Sequence, residues 1–301
     1  MKKPAFTLFE FIFVILILAI VAGASFLQVS TVYENMMQKQ ASGELETKTN
    51  AVAEQIAVRI SSAIKESLVA MSDTSGAECK PLHDTALNAQ TNYILAWVGR
   101  SDESSLGIWD NNISDYRGWS GFVDVNISDN TKIYTKGSKL DNVENVINEL
   151  TGTTNSLSQG VNSKAAIYFK EDTLSLQSAQ TCSDFGLDGA VSPKKLFIVS
   201  KGGVDILNLE SNPSKISEQY ALSHSAYAIE RNATDNTLWL RSFRPWNAEH
   251  PSNDTTPALL GKDITGFGFK YDGGLFRINV CASKKISSDY NITVCKEKVI
   301  F

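Results

Sequence analysis

Residues 6–27, FTLFEFIFVILILAIVAGASFL, decide the fold of this chain. The stretch is almost entirely apolar, and its exceptions near the start are Thr7 and the carboxylate of Glu10. About 20 apolar residues cross the roughly 30 Å hydrocarbon core of a bilayer, so we predict a transmembrane helix over residues 6–29. A charge inside a bilayer costs about 2.5 to 3.5 kcal/mol and usually marks a functional residue with a partner. Glu10 is therefore a candidate functional residue.

A cleaved secretory signal is the alternative interpretation of the same stretch. Such a signal has a shorter apolar region followed by a small-residue cleavage site, which residues 22–25 (AGAS) imitate. Glu10 argues against a signal, because a disposable segment has no reason to carry a charge into lipid. Lys2 and Lys3, with no acid before Glu10, predict a cytoplasmic N-terminus by the positive-inside rule. The bulk of the chain is then exported.

The composition limits the classes of function. The formal charge of −5 and the pI near 5.4 argue against a generally basic, nucleic-acid-binding surface. The sequence has no phosphate loop, no GxSxG and no HExxH motif, and its cysteines and histidines are too scattered for metal-ligand spacing. We therefore expect no catalytic residues, no metal and no cofactor.

The four cysteines, Cys79, Cys182, Cys281 and Cys295, form an even set in what would be an oxidising compartment. No pair has CxxC spacing, so structural disulfides are the preferred interpretation. Four cysteines allow three pairings, and sequence alone does not choose among them. The proximity of Cys281 and Cys295 favours that pair, which leaves Cys79 with Cys182.

The periodicity of the apolar residues divides the chain into a helix and a head. From Ala53 to Met71 apolar residues recur at spacings of three and four, which indicates one apolar helical face. We predict one long helix with a transmembrane half (6–29) and an amphipathic half (30–71). Its weak point is the polar stretch 38–50, which contains Gly43. Residues 72–301 are predicted to form a β-rich globular head.

Within the head, short β runs alternate with turn chemistry. Residues 140–150 favour a short helix, and the Ser-, Thr- and Asn-rich stretch 150–164 predicts a surface loop or subdomain seam. Strands are predicted at 92–99, 118–127, 131–136 and 165–170, hairpins at 195–209, 227–243 and 264–280, and a last strand at 292–301. The expected fold class is α+β, a long N-terminal helix packed on an antiparallel β-sheet head.

The sequence KKPAFTLFEF (2–11) resembles the N-terminal processing and methylation motif of type IV pilins and type II secretion pseudopilins. The shared features are a short basic leader, a small residue before the cut, Phe-Thr-Leu, one apolar residue and Glu, running into an apolar helix. The resemblance closely covers about the first 30 residues. It implies that a prepilin peptidase removes residues 1–5 by cutting between Ala5 and Phe6, and that Phe6 is N-methylated. It also implies that Glu10 meets the N-terminal amine of a neighbouring subunit during assembly.

The resemblance has departures that refine it. Ala5 stands where the family usually has glycine, which implies slower processing, and the membrane helix has no kinking proline. The large head favours a minor subunit at or near a filament tip. The pattern at 259–280 is similar to the late hairpin of J-type minor pseudopilins, while Glu10 counts against the K-type. The fold expected from the resemblance is type IV pilin-like.

The expected function is that of a structural minor subunit of a type IV pilus, a type II secretion system or a DNA-uptake filament. The implied partners are other pilin or pseudopilin subunits, the prepilin peptidase and the inner-membrane assembly platform. The precursor would be a single-pass inner-membrane protein with a periplasmic head, later part of a pilus or pseudopilus. A tip adhesin or other ligand-binding subunit is the alternative, and an anchored periplasmic enzyme is a third hypothesis for which the sequence offers no site.

Five Asn-x-Ser/Thr triplets occur in the chain, at Asn112, Asn126, Asn232, Asn253 and Asn291. Four of the five asparagines have an acid two residues earlier, although only 33 of the 301 residues are acidic. The pattern resembles the extended acceptor sequon of bacterial periplasmic N-glycosylation, and it makes all but Asn253 candidate acceptors. The acids are Asp110, Asp124, Glu230 and Asp289, while Asn253 has Pro251 there.

The same stretches also have interpretations that involve no glycan. Asp and Asn cluster in turns without any modification. The near-repeats DNNISD and DVNISD place oxygen side chains at alternate positions, as a calcium loop does. Asp115 and Asp129, however, stand where such a loop needs glycine.

Aromatic residues give one more candidate surface. Arg244, Trp246 and His250 are predicted to share a loop and to form the head's surface contact, if it has one. The tryptophans as a class favour the core, and they are Trp97, Trp109, Trp119, Trp239 and Trp246.

Overall fold

The computed structural model shows an α+β chain in which one long helix packs on antiparallel sheets. It describes residues 8–75, 79–82, 93–107, 117–158, 163–170, 182–188, 193–272, 274–286 and 290–301. The helices are α1 (Leu8–Ser61), α2 (Asp102–Leu106) and α3 (Leu140–Thr151). The strands are β1 (Val69–Met71), β2 (Cys79–Pro81), β3 (Ile94–Gly99), β4 (Lys132–Tyr134), β5 (Ala166–Phe169), β6 (Leu196–Lys201), β7 (Ile206–Leu209), β8 (Tyr220–Ser223), β9 (Ser225–Asn232), β10 (Thr237–Phe243), β11 (Ala258–Gly261), β12 (Ile264–Asp272), β13 (Leu275–Lys285) and β14 (Asn291–Val299).

These strands form three antiparallel sheets within the described part of the chain. A six-stranded sheet has the order β11-β10-β9-β3-β1-β2, a five-stranded sheet the order β4-β7-β6-β5-β8, and a three-stranded sheet the order β12-β13-β14. The first sheet is held together at its centre by the β3–β9 pair, with Leu95 opposite Ile229. Strands β9 and β10 form a hairpin, as do β6 with β7 and β12 with β13.

Side-chain alternation along β3 explains how the layers stack. Leu95 and Trp97 face a core shared with α1 and the three-stranded sheet, while Ala96 and Val98 face the five-stranded sheet. Alternate residues of a strand point to opposite faces, so a strand between two layers is apolar at every position. Strand β5 also lies between two layers, and its Ile167 faces the core under α3.

Helix α1 ends at Ser61, which corrects the predicted boundary at residue 71. Beyond it lie a short 3-10 turn, Lys65–Ser67, and then strand β1, which pairs with both β3 and β2. Every residue of β1 is buried. A short apolar run fits a helix face and a buried strand equally well, and the partner strand that decides between them is remote in sequence.

The predicted strand at 118–127 is also wrong, since the structure contains only a single bridge there, between Phe122 and Gln219. A Cβ added at Gly118 would collide with the carbonyl oxygen of Ser104, and Gly121 has φ +79°. A continuous strand with side chains cannot follow this path. The other strands and hairpins that the sequence predicts are observed, with shifted ends.

The short helix predicted at 140–150 is confirmed as α3, which ends on Gly152 in the left-handed conformation (φ 62°). The prediction of a surface loop at 150–164 is wrong for part of its described residues. Ser156, Leu157 and Ser163 are buried, and the Ser163 hydroxyl donates to the Val199 carbonyl.

Two disulfides close the head, Cys79–Cys182 and Cys281–Cys295. This is the pairing that the sequence analysis favoured. The first spans 103 residues of sequence and ties β2 to the 3-10 turn Cys182–Asp184. The second joins directly opposite residues of β13 and β14. Closing the longer loop restricts the unfolded chain more, and by the chain-entropy model a loop of about 100 residues is worth about 4.7 kcal/mol.

Candidate functional site

The first part of α1 lies entirely outside the head. From Leu8 to Met37 no side chain that the structure describes is buried, and the large apolar ones are exposed on every side of the helix. This segment is called the projecting segment below; at about 1.5 Å per residue it is about 45 Å long. Soluble monomers rarely expose a contiguous apolar patch of more than a few hundred Å². The segment therefore needs lipid or other apolar helices around it.

One helix, α1, is long and apolar enough to span a membrane. Its projecting segment has a single charged residue before Glu34, which is Glu10. Glu10 lies in the first described turn, between the exposed rings of Phe9 and Phe11. In a low-dielectric surrounding, an ionised carboxylate needs a cation close by.

The second part of α1, from Ala41 to Ser61, is fixed to the head and is called the head-bound segment below. One face of it is buried and packs against β13, β14, β11 and β3. Its buried residues repeat at spacings of three and four, as a half-buried helix requires. They are Ala41, Leu45, Thr49, Val52, Ala53, Ile56, Ala57 and Ile60.

Ion pairs border this apolar contact. Glu44 lies 2.6 Å from Lys284 of β13, and Lys48 lies 2.6 Å from Asp263. Lys298 of β14 pairs with Glu54 further along the helix. Such exposed pairs contribute about 0 to 1 kcal/mol each as a class, so the apolar face provides most of the attachment.

A polar cleft on the head is a second candidate site. Its volume is ≈ 600 Å³, which is within the size range of small-molecule pockets. The wall is predominantly polar, and its residues come from the end of α3, the β8–β9 junction, the end of β10 and the following loop. They are Leu150, Thr151, His224, Ser225, Tyr227, Ser242, Arg244, Glu249, Asn253, Asp254, Thr255 and Thr256.

His224 is the deepest ionisable group in this wall and is only 6% exposed. Its Nδ1 lies 2.9 Å from the Ser101 hydroxyl, which in turn lies 2.7 Å from the Ser104 hydroxyl. The Trp119 indole N–H donates to the Ser101 carbonyl at 2.9 Å. Burial lowers the pKa of His224 below 6.5, so the imidazole is neutral at pH 7 and its Nε2 is available for a hydrogen bond.

Several polar groups of the cleft are already engaged in hydrogen bonds and ion pairs. Ser101 is completely buried and holds the histidine ring in place. Arg244 forms an ion pair with Glu249 at 3.0 Å, and Asp254 accepts from the backbone N–H groups of Ser242 and Thr256. Because these charges are already compensated, the cleft suits a neutral ligand rich in hydroxyl groups.

Sequence reasoning did not find this cleft. Ser101 and His224 are 123 residues apart in the chain, and neither belongs to a local motif. The sequence instead predicts that Arg244, Trp246 and His250 share a loop and form a surface contact. Trp246 corrects that prediction, because its ring is buried in the core between the six- and five-stranded sheets.

The other tryptophans divide between core and periphery. Trp97 is completely buried, while Trp119 and Trp239 are half-buried with their indole N–H groups bonded. Trp109 lies outside the described residues.

The remaining predicted site residues are spread over the molecule. Ala5, Phe6 and Asn112 lie outside the described residues. Asn126, Asn232 and Asn291 are exposed and far apart in the topology, in a turn, at the end of β9 and at the start of β14. Across the described residues, no three or more His, Cys, Asp or Glu side chains form a group that could hold a metal ion.

No protein-family model, no curated protein and no solved structure matches this chain.

Proposed function

We propose that this chain is a structural minor subunit of a filament of the type IV pilin and type II pseudopilin class, without catalytic activity. The observation that carries the proposal is the division of α1 into a projecting segment apolar on all sides and a segment fixed to the head. The motif at residues 2–11 supports the same class. A pilin-like fold, with the helix bound to one side of a β head, is part of the proposal.

The projecting segment has two successive environments in this proposal. In the precursor it spans the inner membrane, with the N-terminus in the cytoplasm and the head in the periplasm. After the peptidase cuts between Ala5 and Phe6, the segment leaves the lipid and packs against the helices of other subunits on the assembly platform. Both surroundings keep the same apolar side chains away from water.

Glu10 makes assembly depend on a neighbour. In lipid it lies close to the interface, where its cost is tolerable. Among packed helices its carboxylate lies opposite the N-terminal amine of Phe6 in an adjacent subunit. Removing one partner of a buried pair leaves an uncompensated charge, at a cost of about 3 to 5 kcal/mol.

The size of the head supports a position at or near the tip. The described part of the head contains three sheets and two disulfides. A head of this size is difficult to pack repeatedly along a filament shaft. It is more easily accommodated at the filament tip.

Glu10→Ala tests the assembly role. The variant should enter the membrane and be processed normally, but its incorporation into sheared filaments should fall at least about tenfold, since each 1.4 kcal/mol is a factor of ten. Glu34→Ala is the matched control, because Glu34 is also an exposed carboxylate of α1 but follows the apolar stretch. Normal incorporation of the Glu10→Ala variant would contradict the proposed role of Glu10 in assembly. A mature chain that does not begin at methylated Phe6 would remove the family assignment.

A ligand-binding tip subunit is the second candidate function, and the polar cleft favours it. Its neutral histidine and hydroxyl-rich wall fit a saccharide, while the acidic composition argues against nucleic acid. The full chain in detergent micelles should then bind a panel of saccharides in a way that Thr255→Val, at the cleft rim, weakens. Thr154→Val, outside that cleft, is the control. Equal binding by both variants, or no binding at all, would remove this candidate.

A further inference from the structure

The four described sequon asparagines are all exposed, and the structure holds their side chains in different ways. The three described sequons with an acid two residues earlier have exposed asparagines. The one without an acid, Asn253, lies in the 3-10 turn Pro251–Asn253, where its Oδ1 accepts a hydrogen bond from the His250 N–H at 2.6 Å. Its side chain serves the local fold.

Asn126 has exposed neighbours and lies outside any strand. It lies in a turn between the Phe122 bridge and β4, and its neighbours Val125 and Ile127 also point outward, 49% and 52% exposed. Local hydrogen bonds hold the turn, in which the Asp124 carbonyl accepts from the Ile127 and Ser128 N–H groups. The Asp124 carboxylate accepts from the Asn126 N–H at 3.2 Å and pairs with Lys136 at 2.5 Å.

The other two acceptors are held by strand pairing. Asn232 is the last residue of β9, lies opposite Thr237, and accepts a bond from the Thr234 N–H at 3.0 Å. Its acid, Glu230, is bonded to Arg241 at 2.7 Å. Asn291 is paired with Lys285 across β13 and β14. A sequon must leave its local structure to enter an enzyme's active site, and at Asn126 this opens a hydrogen-bonded turn rather than a strand pair.

We propose that Asn126 is an N-glycosylation site and the principal acceptor among the described sequons. The donor is an oligosaccharide linked through a diphosphate to a polyprenol. The Asn126 Nδ2 forms a bond to the anomeric carbon, the bond from that carbon to the diphosphate oxygen breaks, and the oxygen retains the electron pair. Nδ2 loses one proton to a base of the transferase, and nothing is oxidised or reduced. Asp124 supplies the negative charge that the transferase recognises.

The modification rests on the exported head of the proposed function. Its site at Asn126 is remote in the chain from the head-bound segment of α1, so a glycan there leaves the helix attachment intact. An added sugar is solubilising and bulky, which suits a head that faces outward.

Peptide mapping of the chain from its native cell tests the site. Cleavage after Arg117 and Lys132 yields a peptide, 118–132, whose only sequon is that of Asn126. We expect this peptide to carry a glycan, and Asn126→Gln to lower the intact mass by that of the glycan. Asp124→Asn keeps the shape of the turn and should lower occupancy at least tenfold. Asn253→Gln, the matched control in the sequon without an acid, should show no loss of glycan mass.

The cysteines distinguish failure of this proposal from failure of the proposed function. An unmodified peptide 118–132 in a chain with both disulfides formed and normal filament incorporation overturns glycosylation alone. Reduced cysteines with an unmodified peptide overturn the exported head and the glycan together. Full glycan occupancy of Asn126 in the Asp124→Asn variant would contradict the recognition of Asp124 by the transferase.

Discussion

The two segments of α1 belong to one helix but differ in how their side chains are buried. In the projecting segment, apolar side chains surround the axis and no described residue is buried. In the head-bound segment, one face is buried, with Ile56 at 0% exposure, while the other is open, with Val58 at 64%. The arrangement of apolar residues around the axis therefore decides what each segment contacts. A helix apolar on one stripe packs on a sheet, whereas one apolar all round needs lipid or a bundle.

The same substitution placed in each segment should have opposite effects. Ile56→Asp puts an unpaired charge into the core, where loss of packing and desolvation add up to well over about 4 kcal/mol, so the head should not fold. Ile17→Asp should leave the head folded but reduce membrane insertion, since an acid near the bilayer centre costs about 2.5 to 3.5 kcal/mol. Near-UV circular dichroism in detergent and carbonate extraction of membranes measure the two effects. A folded Ile56→Asp head, or an unfolded Ile17→Asp head, contradicts the division.

Two nearby residues of the head-bound segment, one buried and one exposed, allow a comparison of its two faces. Ile60→Ala removes a completely buried side chain and should lower the free energy of unfolding by about 2 to 5 kcal/mol. Val58→Ala, on the open face, should change it by less than about 0.5 kcal/mol. Urea denaturation of the full chain in micelles gives both values. Similar losses for the two variants would mean that Val58 is covered by something in solution.

The division between the segments could be predicted from the sequence because it is local. The largely apolar run of residues 6–27 and the three-and-four spacing after Ala53 are properties of neighbouring residues. The helix end at Ser61 could not be predicted, because Leu68 and Met71 continue that spacing and only pairing with β3 and β2 makes Val69–Met71 a strand.

The incorrect strand prediction at 118–127 failed for a related reason. Gly118 is required by its close approach to Ser104 of α2, a contact between residues that the sequence does not bring together. The polar cleft depends in the same way on Ser101 and His224, which meet only in the folded head. The proposed assembly residues at the start of the chain thus belong to a local motif, whereas the residues of the candidate cleft do not.

Gly43 lies in the first turn of the head-bound segment, close to the projecting segment, and α1 runs through it without interruption. A Cβ at this position would have nothing within 4 Å, so Gly43→Ala should add about 0.5 to 1 kcal/mol of helix stability. Amide exchange of residues 38–50 should become slower. Gly23→Ala has the same free space but lies inside the projecting segment, and should leave exchange at 38–50 unchanged. Faster exchange in Gly43→Ala would indicate that the junction bends at this glycine.

The smallest expected effect concerns the ion pair between Glu44 and Lys284, which lies at the first turns of α1 that touch the head. The hydrogen bond and charge of Lys284 lower the pKa of Glu44 below 4.5. Because the unfolded chain then binds the proton more readily than the folded one, the pair's stabilisation is present above pH 4.5 and is lost as the pH falls below it. Glu44→Gln should therefore speed amide exchange near residue 44 slightly at pH 7.

At pH 3 the same variant should differ less from the unaltered chain, since Glu44 itself becomes protonated as the pH falls. Glu46→Gln, an exposed carboxylate two residues further on, is the control and should change exchange at neither pH. The expected change is small because both partners are about half exposed and water screens their attraction. Loss of protection over several turns would mean that charge, rather than the apolar face from Leu45 to Ile60, sets the point where the helix leaves the head.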